Sequence, residues 1–145
     1  MTKEALAEEI LASFTEEEWK MLENGTIPVP VSNYNRKILL GLKNRNTAFE
    51  GHVREEDVRS LLDALQVFLA QTWAEQPDAH KYVIGACLAL TFIKEVPMHP
   101  QEIVRYTETV ENGVKRYHCP AKGDSVICRY CVTEAVERRT GPSFG

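Results

Sequence analysis

The stretch "REEDVRSLLDALQVFLAQTWA", residues 54–74, constrains this chain more than any other. Val58, Leu61, Leu62, Leu65, Phe68, Leu69 and Thr72 recur at helical spacings, while Glu55, Glu56, Asp63 and Gln66 fall between them. A period of 3.6 residues puts the first set on one face of a helix and the second on the other. An apolar face of that width has to be covered, and helices are the natural cover. The chain supplies them. In "TKEALAEEILASF", Leu6, Ile10, Leu11 and Phe14 share a face, with Glu4, Glu8 and Glu9 mostly outside it. Thr15 and Glu18 have capping-box spacing at the start of "EEEWKMLEN", and Asn24-Gly25 stops that helix. Pro28 and Pro30 keep "TIPVPVS" extended. Ser32 caps "NYNRKILLGLKNR", with Tyr34, Ile38 and Leu42 on one face. Pro77 opens a further helix, and "HKYVIGACLALTFI" is apolar nearly all round, which places it at the centre of the bundle until Pro97 ends it.

After Pro97 the chemistry changes. Two β-prone runs, 103–110 and 114–118, flank "ENG", and Asn-Gly is a strong signal for a two-residue hairpin turn. "VTEAVERR" then reads as a short helix with Val132, Ala135 and Val136 inward. The expected architecture is mainly α: a helical bundle with a small C-terminal zinc-stapled β-hairpin plus short helix. One domain spans 1–145, with a helical body at 1–96, a metal-binding C-terminal subdomain at 97–139 and a tail at 140–145. The C-terminal piece has few large aliphatic residues, and a fold of that size needs a staple.

The staple is read from "RYHCPAKGDSVICRYC", which holds three of the chain's four cysteines. Cys128-x2-Cys131 is half of a common structural zinc site, and Cys119 adds a third thiolate. The pair opens the last predicted helix, beside Arg129, a setting that favours thiolate over thiol. Zinc wants a fourth ligand. Cys87, in an apolar helix, reads as a buried small residue. His52 and His80 sit among charged residues and read as solvated. His118 adjoins Cys119 on a strand, and neighbours there point to opposite faces. His99, held in "VPMHPQE", remains, so the expected metal set is His99, Cys119, Cys128 and Cys131. The competing readings are an iron–sulfur cluster on the same cysteines, a redox dithiol at Cys128–Cys131, and three reduced thiols without a ligand.

"VPMHP", "KRYHCP" and a terminal "ICRYC" resemble the C-terminal third of an uncharacterised archaeal protein family, known mainly from methanogens. Its members carry an HP step, a strand running into Cys-Pro and a last Cys-x-x-Cys. This chain has Arg129-Tyr130 where that family is expected to have a proline. The resemblance supports the set His99, Cys119, Cys128 and Cys131 and implies no activity.

The remaining features narrow the function by exclusion. With a net charge of −4, no global field draws the chain to nucleic acid or membrane. No apolar run is long enough for a membrane span, and the acids in "MTKEALAEEI" do not suit a secretion signal. A cytoplasmic location follows as the expectation, and there clustered cysteines point to metal or redox chemistry. No phosphate-binding loop, nucleophile elbow or His-Glu-x-x-His pattern is present, and no catalytic constellation emerges. Arg36, Lys37, Lys43 and Arg45, with Lys115, Arg116, Lys122, Arg129, Arg138 and Arg139, would form a basic face if they converged, which keeps nucleic-acid binding as a third class. The leading reading is a small cytoplasmic zinc-binding protein acting as a binding or interaction module for a protein partner.

Overall fold

The computed structural model describes residues 1–100 and 105–119. Within them the chain is mainly helical: α1 (Lys3–Ala12), α2 (Glu16–Asn24), α3 (Asn33–Lys43), α4 (Glu55–Thr72) and α5 (His80–Leu88), followed by a hairpin of β1 (Thr107–Glu111) and β2 (Val114–His118). A 3-10 turn, Pro77–Ala79, leads into α5, and a π-helical turn, Ala89–Lys94, leads out of it.

The helix starts follow local chemistry. Thr2, Thr15 and Ser32 each accept a hydrogen bond from a backbone N–H of the first turn, at 3.0–3.1 Å. At α2 the bond is reciprocated, because Thr15 N–H donates to the Glu18 carboxylate at 2.8 Å. α4 has no side-chain cap, but Glu55, Glu56 and Asp57 lie in its first turn, where acids favour the helix dipole.

α5 and its π extension occupy the centre, as the all-round apolar sequence predicts. Tyr82, Ala86, Leu88, Ala89, Leu90 and Ile93 are buried. Around this axis pack α1, α3 and α4. α1 brings Leu6, Ala7 and Ile10, with Phe14 just beyond it; α3 brings Leu39 and Leu42, and α4 brings Val58, Leu61, Leu65 and Leu69. The α5 crossing is close at Gly85, where an added Cβ would lie 3.3 Å from both Leu39 and Phe14. A glycine there lets the helices meet.

Three details depart from the periodicity. Thr72 is exposed, because α4 ends there, and Leu62 is only half-buried on the flank of the stripe. On α3 the deepest residues are Leu39 and Leu42, while Tyr34 and Ile38 are half-buried. Tyr34 lies at the edge because its hydroxyl donates to the Pro97 carbonyl at 2.6 Å. The central helix stops before Pro97, at Lys94, where Glu95 turns left-handed at φ 54°.

The hairpin is antiparallel, and its register pairs Glu111 with Val114 across Asn112-Gly113. Both turn residues have positive φ, 50° and 77°, as a two-residue primed turn requires. Among the described residues, strand β1 begins at Thr107. Tyr117 is buried in the same cluster as the helical core, with Met98 beside the chain's exit from the body. Tyr106 packs edge-on against Tyr117, ring centroids 5.7 Å apart. The predicted helix of "VTEAVERR" and the tail at 140–145 lie outside the described residues.

Candidate metal centre

His99 follows buried Pro97 and Met98 and is itself exposed, between two prolines that limit its backbone. The Tyr34 bond to the Pro97 carbonyl ties this segment to α3. Cys119 is half-buried just past β2, two residues from buried Tyr117. A strand period of two puts Cys119 on the Tyr117 side. Cys128 and Cys131 lie outside the described residues. His99 and Cys119 are thus the two members of the expected set that are described, and no group of three or more His, Cys, Asp or Glu converges on one point among the described residues.

The other candidate ligands have structural places. Cys87 is buried in α5. His52 is exposed and forms a backbone bridge with Thr2. His80 differs from expectation: it is half-buried, and its Nε2 lies 2.7 Å from the Trp73 carbonyl at the end of α4. A ring N–H donated there would be the second bond to this carbonyl at the helix end, which also accepts from the Gln76 N–H at 3.0 Å.

The basic stretch of α3 is largely used within the fold. Arg36 donates to the carbonyls of Leu22 and Glu23 at the end of α2, Lys43 sits 5.1 Å over the Trp19 ring, and Arg45 binds Glu4, Glu8 and the Leu42 carbonyl. The hydrogen bond from Arg45, with that from the Phe49 N–H, lowers the Glu4 carboxyl to about 2. A second polar cluster joins α2 to α5: Glu18 pairs with Lys81 and accepts from the Tyr82 hydroxyl. Burial, then the nearby Glu18 charge, pushes Tyr82 up to about 12. No motif marked the Arg45–Glu4 cluster, and the capping box marked Glu18 only as a cap and not as a partner of Lys81 and Tyr82. The one hint in the sequence was Glu4 and Glu8, like charges on one helix face that a shared cation can reconcile.

Residues 6–135 match the family model of uncharacterized proteins conserved in archaea, DUF2115. The chain belongs to this family. The family match takes in the helical body as well as His99 and all three C-terminal cysteines, a wider span than the C-terminal resemblance. No curated protein and no solved structure matches the chain. No helix among the described residues is long and apolar enough to cross a membrane.

Proposed function

We propose that this member of the archaeal family binds one zinc ion through His99, Cys119, Cys128 and Cys131 and acts as a cytoplasmic interaction module for a protein partner. The observation that carries the reading is the spacing Cys119-x8-Cys128-x2-Cys131, with a Cys-x2-Cys pair at its end. Two features of the fold support it. The hairpin brings Cys119 to the end of a strand anchored by buried Tyr117. The proline-flanked segment leaves the His99 ring exposed while its neighbours are buried. Ligation by both would tie the helical body to the C-terminal third, which gives a closed tetrahedral site a structural purpose. A reducing compartment keeps such cysteines available as ligands.

The test is metal analysis of the purified protein with its absorption spectrum. About one zinc per chain and no visible colour is the expected result. Iron with sulfide-linked absorption would replace the zinc reading with the cluster reading, and a metal-free protein with reactive thiols would remove both. Nucleic-acid binding loses ground because Arg36 and Arg45 are spent on internal bonds.

A further inference from the structure

The exit from α5 gathers three unfavourable features within a few residues. Ala89–Lys94 is a π-helical turn, in which the Glu95 N–H reaches back five residues to the Leu90 carbonyl. The Val96 N–H bonds the same carbonyl at 3.0 Å. Glu95 itself is left-handed, a conformation that costs a residue carrying a Cβ. Inside the turn, Thr91 is 1% exposed, and its hydroxyl is the buried side-chain polar atom that finds no hydrogen-bond partner among the described residues. Each feature disfavours the observed register.

Contacts on the far side of the turn favour it. Lys3 Nζ lies 3.5 Å from the Glu95 carboxylate, bridging from α1. The Tyr34 hydroxyl, from α3, holds the Pro97 carbonyl at 2.6 Å. An ordinary α-helical register is available to the same residues. In it the Glu95 N–H would bond Thr91 and the Lys94 N–H would bond Leu90. The Thr91 hydroxyl would meet the Cys87 carbonyl, the usual partner of a helical threonine. Removing the extra residue of the wide turn would rotate everything after it by roughly 100° about the helix axis and advance it by roughly 1.5 Å. Both clamps would then be out of reach.

We infer that residues 89–95 form a two-register joint, held in its π register by the Lys3–Glu95 and Tyr34–Pro97 clamps, whose slip to the α register repositions Pro97, Met98 and His99 against the helical body. Packed helices pass between discrete arrangements rather than deforming continuously, which makes a one-residue slip the unit of motion. The joint stands independently of any metal, because its evidence lies in the backbone and in the clamps.

The experiment is solution NMR of the full chain, comparing the native protein with Glu95→Ala, Tyr34→Phe and the double variant. Both substitutions are at half-buried positions; each single variant removes one clamp and the double variant removes both. Scalar couplings report the φ of residue 95, and couplings across hydrogen bonds report which carbonyl its N–H engages. The native protein should show positive φ and a bond to Leu90. Loss of both clamps should shift the register ratio toward α by roughly tenfold or more, so that residue 95 moves toward negative φ and a bond to Thr91. Thr91→Val, which removes the hydroxyl that is orphaned in the π register, should raise the unfolding midpoint of the native form. A double variant that keeps positive φ and the Leu90 bond would overturn the joint, as would a native protein already in the α register.

Discussion

Glu4 shows how one residue can matter without being part of any motif. Its carboxylate accepts from Arg45 and from the Phe49 N–H at 3.1 Å, linking α1 to the chain after α3. The Arg45 bond is the leading cause that lowers the group from 4.5 to about 2. Because the folded value lies below the unfolded one, the charged form favours folding. That contribution is complete above pH 4.5 and is lost as the pH falls toward 2. Unfolding of the native chain should therefore become steadily easier over that acid range, and Glu4→Gln should flatten the dependence. Identical acid profiles for the two proteins would show that the pair is merely a surface contact. Leu61 is the opposite kind of residue, wholly apolar and fully buried on α4. Leu61→Ala should cost ~2–5 kcal/mol in denaturant unfolding, through lost transfer energy and the cavity left behind. Half-buried Leu62, its neighbour in the predicted stripe, should cost less.

At the scale of elements, α2 is the clearest case. It is nine residues long, shorter than an isolated helix can sustain, so its caps and its tertiary contacts must hold it. Thr15→Ala removes one partner of the capping box and should cost about 1 kcal/mol. Glu18→Ala should cost more, because Glu18 also pairs with Lys81 and accepts from Tyr82. Equal losses for the two variants, measured by denaturant unfolding, would mean that the links to α5 contribute nothing beyond the cap. The hairpin is another local success. Asn112-Gly113 predicted the turn, and the turn set the register. The exit from α5 is where local reading failed. Pro97 announces that a helix must end, but the π turn and left-handed Glu95 end it sooner. Those features depend on α1 and α3, which contribute Lys3 and Tyr34.

For the whole molecule, the organising fact is that Tyr117 of the hairpin and Met98 belong to the same buried cluster as Leu6, Leu39 and Leu61. The hairpin is therefore docked on the helical body by Tyr117, with Tyr106 of the preceding chain packed against it. If the C-terminal cysteines hold zinc, chelation should leave the helical circular dichroism and the protection of the hairpin amides largely intact, and loosen the chain beyond Cys119. Single-step loss of all structure on chelation would show that the metal is integral to the core. The ligand assignment has its own test. His99→Ala should weaken zinc retention, while His118→Ala should do little; the reverse result, or loss of zinc in Cys87→Ser, would reassign the fourth ligand.

Periodicity, caps and turn chemistry were enough to place five helices and a hairpin among the described residues, because these are decided by neighbours within one or two helical turns. They were also enough to put the apolar helix at the centre, since a segment without a polar face has nowhere else to go. The cysteine spacing was legible for the same reason: a chelate is a short-range pattern, and the sequence alone is what nominates Cys119, Cys128 and Cys131. Tertiary structure decided what local spacing does not encode. It brought Arg45 to Glu4 across 41 residues, and Tyr82 to Glu18 across 64. It turned Arg36 from a candidate nucleic-acid contact into a cap for α2. It seated Tyr117 in the helical core and drew the end of the central helix into a wide turn. Each of these depends on which helix lies against which, and that is set by the fit of side chains such as Leu39 and Phe14 around Gly85, a matter of volume in three dimensions rather than of order along the chain.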